Sequence, residues 1–593
     1  MARGVGLAVL LAAAGAVARA PQGPATQTHS AAADGPIRFE DATAGSGLDF
    51  VPRCGDADKD LILEANGTGL ALFDADGDGR LDLFLPGGGS LESGRWRPQQ
   101  GRLYLGRGGL KFEDATARSG IAQRVWGSGV ALGDVDGDGD QDLLLTGFGN
   151  DQLFRNDGGG RFTDVSEAAG VADPRWGMGA AFGDLDLDGD LDLYVANYLE
   201  FDAANPPLNT AHGGKLLCQW QGCDVHCGPL GLTPAPDALY LNDGQGRFSE
   251  VSAARGTRVA QPAFGMGVVI ADFDRDGDPD IYVANDVTPN FLFRNRGDGR
   301  FEEVGVEAGV AFGDQGQSQS SMGIAVGDAD GDGFDELHVT NFSAESNAYY
   351  RTRDGAFYEE YGYIAGIADI SLQRLGWGTF FFDADNDGWQ DLFVANGHVY
   401  PEADRCDPRT SYRQAGLLFR NLEGRKFAAL GAGAGATLQA PRASRGAAFG
   451  DFDDDGDLDI ALANIDEPPT LLANRLAAGS SWAKLELRGG RRSAFGALVT
   501  LEAGGRKQVR ELIACSSYMS CHDTRMHFGL GAADAIESLE IRWPGGAATR
   551  LTDLPARRLL VIDPERGLLE SRVLGAAADP EPENTGAAEP ATL

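Results

Sequence analysis

One nine-residue acidic loop, Asp-x-Asp-x-Asp over its first five positions, occurs seven times and each time runs straight into a short apolar strand. The first copy reads DADGDGRLD from Asp74 to Asp82, and the others begin at Asp134, Asp184, Asp272, Asp328, Asp383 and Asp451. Successive copies are 60, 50, 88, 56, 55 and 68 residues apart. Carboxylates at alternate positions of a tight, glycine-containing turn converge on one point. Such a point suits a hard cation with several oxygen ligands.

Side chains at loop positions 1, 3, 5 and 9 are expected to coordinate, with the position-7 carbonyl adding a backbone oxygen. In loops one to four these are Asp74, Asp76, Asp78, Asp82; Asp134, Asp136, Asp138, Asp142; Asp184, Asp186, Asp188, Asp192; and Asp272, Asp274, Asp276, Asp280. In loops five to seven they are Asp328, Asp330, Asp332, Glu336; Asp383, Asp385, Asp387, Asp391; and Asp451, Asp453, Asp455, Asp459. Four carboxylates so close repel one another unless a cation neutralises them. A carboxylate-rich, multidentate set favours Ca²⁺ over Mg²⁺, and all-oxygen ligands argue against zinc or copper. The expectation is up to seven structural Ca²⁺ ions, each pinning a turn between two strands. EF-hands are excluded, because they need flanking helices and a bidentate Glu at loop position 12. That position holds Leu85, Leu145, Val195, Val283, Val339, Val394 and Leu462.

The flanks extend the repeat. Five residues before each loop stands a glycine: Gly69, Gly129, Gly179, Gly267, Gly323, Gly378 and Gly446. Two residues earlier there is another small residue, glycine in five copies and Ser321 or Ser444 in the other two. Small residues alternating along a strand suit a place where backbones crowd together, such as the innermost strand of a propeller blade. The strand after each loop is apolar at positions 10 and 12 and often at position 11 too, as in LDLYVAN (191–197), which fits a strand sandwiched between layers. Hairpins follow, including LFRNDGGGRFTDV (153–165), LYLNDGQGRFSEV (239–251) and LFRNRGDGRFEEV (292–304). Four strands per unit at this repeat length predict an all-β, seven-bladed β-propeller over residues 37–476. The RF-type strand beginning at Ile37 precedes loop one, and the last unit stops at LLAN (471–474). The N-terminal strand can therefore complete the last blade and close the ring.

At 593 residues the chain has room for more than one domain. Arg3 and the apolar stretch from Val5 to Val17 read as a signal peptide over residues 1–18, too short to span a bilayer. Residues 19–36 read as a flexible linker and residues 566–593 as a disordered acidic tail. The mature chain is expected to be secreted, periplasmic or at the cell surface. A formal charge of −38 argues against nucleic acid and anionic lipid as partners. The seven cysteines of an exported chain favour disulfides, with at least one left unpaired.

The repeats resemble FG-GAP (VCBS-type) units of the integrin α-subunit propeller. The stretches LGWGTFFFDADNDGWQDLFVANGHVY (375–400) and SRGAAFGDFDDDGDLDIALAN (444–464) resemble the cartilage acidic protein family more closely. That family ends in an ASPIC/UnbV domain. Residues 493–546, with their HFGLG and WPGG segments, are similar to it and mark a β-sandwich-like domain over 480–565. The Cys515/Cys521 pair bracketing SSYMS departs from the family's pattern and reads as a local addition, a candidate disulfide. The resemblance implies an extracellular, calcium-binding protein, possessing no established enzymatic reaction.

Strand connections emerge at alternate ends of a blade, so the insertions at Tyr198–Asp237 and Gly397–Gly416 lie on the face opposite the acidic loops. Displayed loops on a rigid scaffold are where recognition usually sits. The first insertion carries Cys218, Cys223, His226 and Cys227. This cluster offers either a zinc site or a Cys218–Cys227 disulfide, with Cys223 free or paired elsewhere. Asn197, Asn285, Asn341, Asn396 and Asn464 recur five residues after loop position 9 and read as turn-stabilising side chains. His398 has no catalytic partner recognisable by motif, and His527 and Trp543 read as packing residues of the C-terminal domain. No nucleophile elbow, P-loop or dinucleotide fingerprint is present. The leading expectation is a calcium-stabilised binding or adhesion protein for a protein or glycan ligand. The alternative is a hydrolase or lyase with its site on the insertion face or in the central channel.

Overall fold

The computed structural model describes residues 37–92, 95–476, 479–489 and 493–574. The expected signal peptide, linker and most of the expected tail lie outside the described residues. Among the described residues seven four-stranded antiparallel sheets, six of them each built within one repeat, stand around a common axis. Sheet two is typical: Trp126–Gly133, Asp142–Phe148, Gln152–Asn156 and Phe162–Asp164, ordered from the axis outward.

The repeated glycines explain how the inner strands fit. A Cβ on Gly129 would lie 2.2 Å from the Met178 carbonyl oxygen, and one on Gly323 would lie 2.0 Å from that of Trp377. Each of these inner strands presses its bare backbone on the inner strand of the next sheet. The last, at Gly446, meets Gly69 of the first, and so the ring closes. Between sheets the first and second strands supply the core. Leu143, Leu145, Phe182 and Leu193 share one buried cluster, and burying each such side chain contributes about 1.5–3 kcal/mol. The N-terminal strand Phe39–Asp41 pairs with Thr470–Asn474 and completes sheet seven, with Phe39 opposite Asn474.

The C-terminal region forms two further four-stranded sheets packed face to face on Val499, Leu501, Phe528, Ile541 and Trp543. Its last strand, Gly567–Arg572, pairs with Arg558–Asp563. This corrects the expected boundary: the domain runs past residue 566, because that strand covers the edge that would otherwise be left unpaired.

This domain sits on the acidic-loop face and sends one loop down the axis. Between strands Arg506–Glu511 and Met526–Gly531 the chain leaves the domain, crosses the channel and returns, closed by a Cys515–Cys521 disulfide. Inner strands present unpaired backbone groups toward the axis, and the loop pairs with them. Ser517 exchanges backbone bonds with Ile324, the Cys521 N–H donates to the Leu70 carbonyl, and the Met519 carbonyl accepts from Val130. The Ser517 hydroxyl accepts from the Thr379 N–H and donates to the Ala447 carbonyl. Tyr518 is fully buried, its ring 4.7 Å from that of Trp377. The Cys515/Cys521 pair is therefore more than a local addition. It frames a plug.

Candidate metal centres and their surroundings

In loop one the Asp74 Oδ1 accepts from the Gly77 and Asp78 N–H groups at 2.9 and 3.0 Å, and its Oδ2 accepts from Gly79 at 2.8 Å. Position 1 thus folds the turn. Position 6 is glycine in all seven loops, and its φ is positive each time, from 85° at Gly79 to 109° at Gly189. L-residues with a side chain adopt that region at a cost. Position 9 ties the loop to its sheet. The Asp82 Oδ2 accepts from the Ala75 N–H at 2.8 Å and its Oδ1 from Gly106, on the third strand, at 2.7 Å. Asp142, Asp192, Asp391 and Asp459 repeat both bonds. Glu336 differs: its Oε2 accepts from the Ala329 and Asp330 N–H groups, while its Oε1 is buried with no partner.

The structure brings the expected ligands together. Carboxylate oxygens lie within 4.8 Å of one another in the sets Asp74/Asp76/Asp82, Asp134/Asp136/Asp142, Asp184/Asp186/Asp188, Asp272/Asp274/Asp276 and Asp328/Asp330/Asp332, with two further groups among the described residues. Several of these oxygens are withdrawn from water and receive no hydrogen bond: one each of Asp136, Asp186, Asp328, Asp385 and Asp453. Buried carboxylate oxygens in need of a partner fit a bound cation. Burial is the main cause that pushes the Asp82, Asp142 and Asp192 carboxyls up to about 8. Burial, then the neighbouring acids, raises Asp328 to about 7. A cation favours the ionised forms and opposes those shifts.

One part of the site was not anticipated. Arginines at or just after the third strand reach the position-3 carboxylates. Arg294 pairs with Asp274, Arg351 with Asp330, and Arg420 with Asp385 at 2.8 Å. Arg475 approaches Asp453 at 3.5 Å and Arg107 approaches Asp76 at 3.7 Å. The signal was present in the LFRN motifs, which place an arginine at the same point of several repeats.

The FG-GAP-like repeat family matches residues 74–145, 134–195, 224–283 and 272–339, and the ASPIC and UnbV family matches residues 488–568. The chain joins FG-GAP repeats to an ASPIC/UnbV domain. It is 26% identical over 328 residues to cartilage acidic protein 1 of Homo sapiens, a match covering 52% of this chain and 45% of that protein. The Xenopus tropicalis protein of the same name is also 26% identical, over 299 residues, 48% of this chain and 42% of that one. The chain thus spans about half the length of the curated relatives it matches. Among solved structures, an Agrocybe aegerita lectin described as recognising non-reducing terminal N-acetylglucosamine is 15% identical, with a TM-score of 0.35, covering 68% of this chain and 86% of that one. The rhamnogalacturonan lyase YesW is 13% identical, with a TM-score of 0.31, covering 86% and 91%.

On the opposite face of the FG-GAP repeats, Cys218–Cys227 closes the ribbon Leu217–Trp220/Cys223–His226. Cys223 pairs with Cys406 of the second insertion, so the two insertions are stapled together. Pairing of all these thiols removes the zinc alternative. The odd cysteine is Cys54, buried, its thiol pushed up to about 12 by burial. His226 is held by the Lys59 carbonyl at 2.8 Å.

The recurring asparagines behave as expected. Asn197 donates to the Pro236 carbonyl, Asn285 to Pro289, Asn341 to Ser346, Asn396 to Ala415 and Asn464 to Pro468. Where the repeat replaces a glycine by Ser321 or Ser444, the hydroxyl donates to the asparagine of its own sheet, Asn341 or Asn464.

Among the described residues two Ser–His pairs occur that sequence motifs did not reveal. Ser343 lies 3.0 Å from the His398 Nε2, and Ser516 lies 3.0 Å from the His522 Nε2. In each ring Nδ1 accepts a backbone N–H, from Tyr400 or from Phe449. The ring proton therefore resides on Nε2 and is donated to the serine. A base that activates serine needs the opposite tautomer. His527 packs within the ASPIC/UnbV domain, its ring stacked 6.4 Å from that of Trp482, and its Nε2 also faces the Gly456 carbonyl in loop seven, 3.0 Å away. Trp543 packs that domain's core.

Proposed function

We propose that this chain is an exported binding protein whose FG-GAP loops hold structural Ca²⁺ and whose stapled insertion face takes a protein or glycan ligand. The buried carboxylate oxygens without hydrogen-bond donors carry the cation part of this reading. Asp74, Asp76, Asp78 and Asp82, with their counterparts in the other six loops, would hold the ion. When bound, it neutralises the clustered acids and fixes the turn; it supplies no bond-breaking chemistry. Three disulfides suit an oxidising compartment. Among the described residues no helix is long and apolar enough to cross a membrane.

The recognition part rests on the insertion face. An open groove of about 410 Å³ there is lined by Trp96, Phe148 and Phe201. The Phe148 ring stands 5.4 Å from Trp96 and 5.8 Å from Phe201. Aromatic shelves on rigid scaffolds are common in binding surfaces. The channel, where an enzyme reading put a reaction centre, is filled by Tyr518 and Met519, both buried.

Calorimetric titration of the metal-stripped protein tests the cation reading. The expectation is several Ca²⁺ sites, with Mg²⁺ binding more weakly. No heat on addition of Ca²⁺ would overturn it. Pull-downs from an extracellular milieu, with intact protein and a variant lacking both insertions, test the recognition face. A ligand retained by that variant would place recognition elsewhere.

A further inference from the structure

The axial plug and the acidic loops share one support. The plug's two roots are the strands Arg506–Glu511 and Met526–Gly531, and both rest on acidic loops. On the first, the Arg506 Nη1 donates to the Asp387 carbonyl in loop six at 3.0 Å, and the Glu511 Oε1 accepts the Asp272 N–H in loop four at 3.0 Å. On the second, the Gly531 N–H donates to the Asn386 carbonyl in loop six at 2.8 Å, and the His527 Nε2 meets the Gly456 carbonyl in loop seven. Gly529 passes so close to loop six that a Cβ there would lie 2.0 Å from the Asp383 Oδ2. From the neighbouring strand, the Lys484 ammonium sits 2.8 Å from the Asp451 Oδ2, and neither side chain is exposed. The Trp482 indole covers Gly456, where any Cβ would overlap its Nε1.

These contacts grip loop backbone and the position-1 carboxylates, the parts whose placement depends on how loop charge is balanced. Loop six holds the donorless Oδ1 of Asp385, and loop seven holds one such oxygen of Asp453. Among the described residues neither aspartate makes a hydrogen bond or ion pair with the ASPIC/UnbV domain; their charged partners are Arg420 and Arg475. Loop two, Asp134 to Asp142, makes no hydrogen bond or ion pair with that domain among the described residues.

We infer that the ASPIC/UnbV domain reads the cation state of loops six and seven, so that cation binding there and seating of the 514–521 plug are coupled. The inference rests on the proposed cation binding and extends it to a consequence for the channel. Where two events share one rigid support, each shifts the other by the same factor. Cation in loops six and seven holds the plug's roots in register, and a seated plug holds those loops in their binding shape.

Hydrogen exchange on the full chain tests it, read at the Ser517 and Cys521 amides, which donate to Ile324 and Leu70. With Ca²⁺ present both amides should be strongly protected. Chelation, or the pair Asp385→Asn and Asp453→Asn in saturating Ca²⁺, should speed their exchange by about 5- to 150-fold, the span of ordinary coupling energies. The loop-two pair Asp136→Asn and Asp138→Asn should leave them unchanged. Calorimetry on the same samples separates the two readings. Cation lost while plug protection persists overturns the coupling and leaves the cation reading standing; no cation binding at all overturns both. Equal loss of protection from the loop-two pair would show general loosening of the ring, and would also overturn the coupling.

Discussion

The two faces of the ring are held by different means. The acidic-loop face is electrostatic: four carboxylates per loop, arginines on position 3, and a second domain pressed on it through Lys484, Arg506 and His527. The insertion face is covalent and aromatic. Cys223–Cys406 ties two long loops across it, and Trp220 lies 4.8 Å from His398 and 5.4 Å from Tyr400. One face stores uncompensated charge that an ion can relieve, whereas the other is complete as folded. A ring built this way can respond to its ionic surroundings on one side while it presents a fixed surface on the other.

The largest effect expected from this contrast is on chelation. At free Ca²⁺ of 100 times Kd each filled site contributes about 2.7 kcal/mol, so excess chelator should lower the melting temperature sharply. An unchanged melting curve would erase the distinction between the faces.

Next is the staple. Replacing Cys223 and Cys406 by serine should cost about 2–4 kcal/mol, the ordinary range for a disulfide, and should speed proteolysis within residues 198–237 in Ca²⁺ and in chelator alike. Equal cleavage of mutant and wild type would show that the aromatic packing alone holds that face.

Acid should act on the insertion face through His226 and His398. Burial pushes them down to about 4 and about 3. The folded state refuses a proton that the unfolded state accepts below about 6.5, so stability is whole above that pH and falls as pH drops toward 4. By pH 5 the loss is on the order of 2 kcal/mol per histidine. Carboxyls on the same face, such as Glu345, raised by burial to about 7, work in the opposite sense. The measurement is therefore a difference: His226→Gln should flatten the fall in melting temperature between pH 7 and 5. An unaltered slope would acquit that residue.

The smallest effect concerns the ring common to both faces. Gly323→Ala must displace the Trp377 carbonyl, only 2.0 Å from the new Cβ. A cost of about 1–3 kcal/mol follows; a neutral melting temperature would mean the inner strands can spread.

Local chemistry made much of this legible in the chain. The loop carboxylates, the position-6 glycines and the glycines of the inner strands each answer a constraint within one repeat, and repetition multiplied the signal. The strand at Ile37 advertised its role because the last unit was one strand short. The third-strand arginines are equally visible, but a charged residue on an outer strand reads as solvated until its partner is placed.

What only the tertiary structure decided are pairings between residues far apart in the chain. Cys223 joins Cys406 across 183 residues, Lys484 joins Asp451, and Ser517 joins Ile324. No periodicity encodes such contacts, because each is fixed by how one domain settles on another after both have formed. The sequence determined a ring of acid-looped sheets by itself. That the ring's channel is plugged, and that the plug stands on the acidic loops, follows from packing, where backbone groups left unpaired on five of the inner strands, and the Asp451 carboxylate of loop seven, find their partners in the same C-terminal domain.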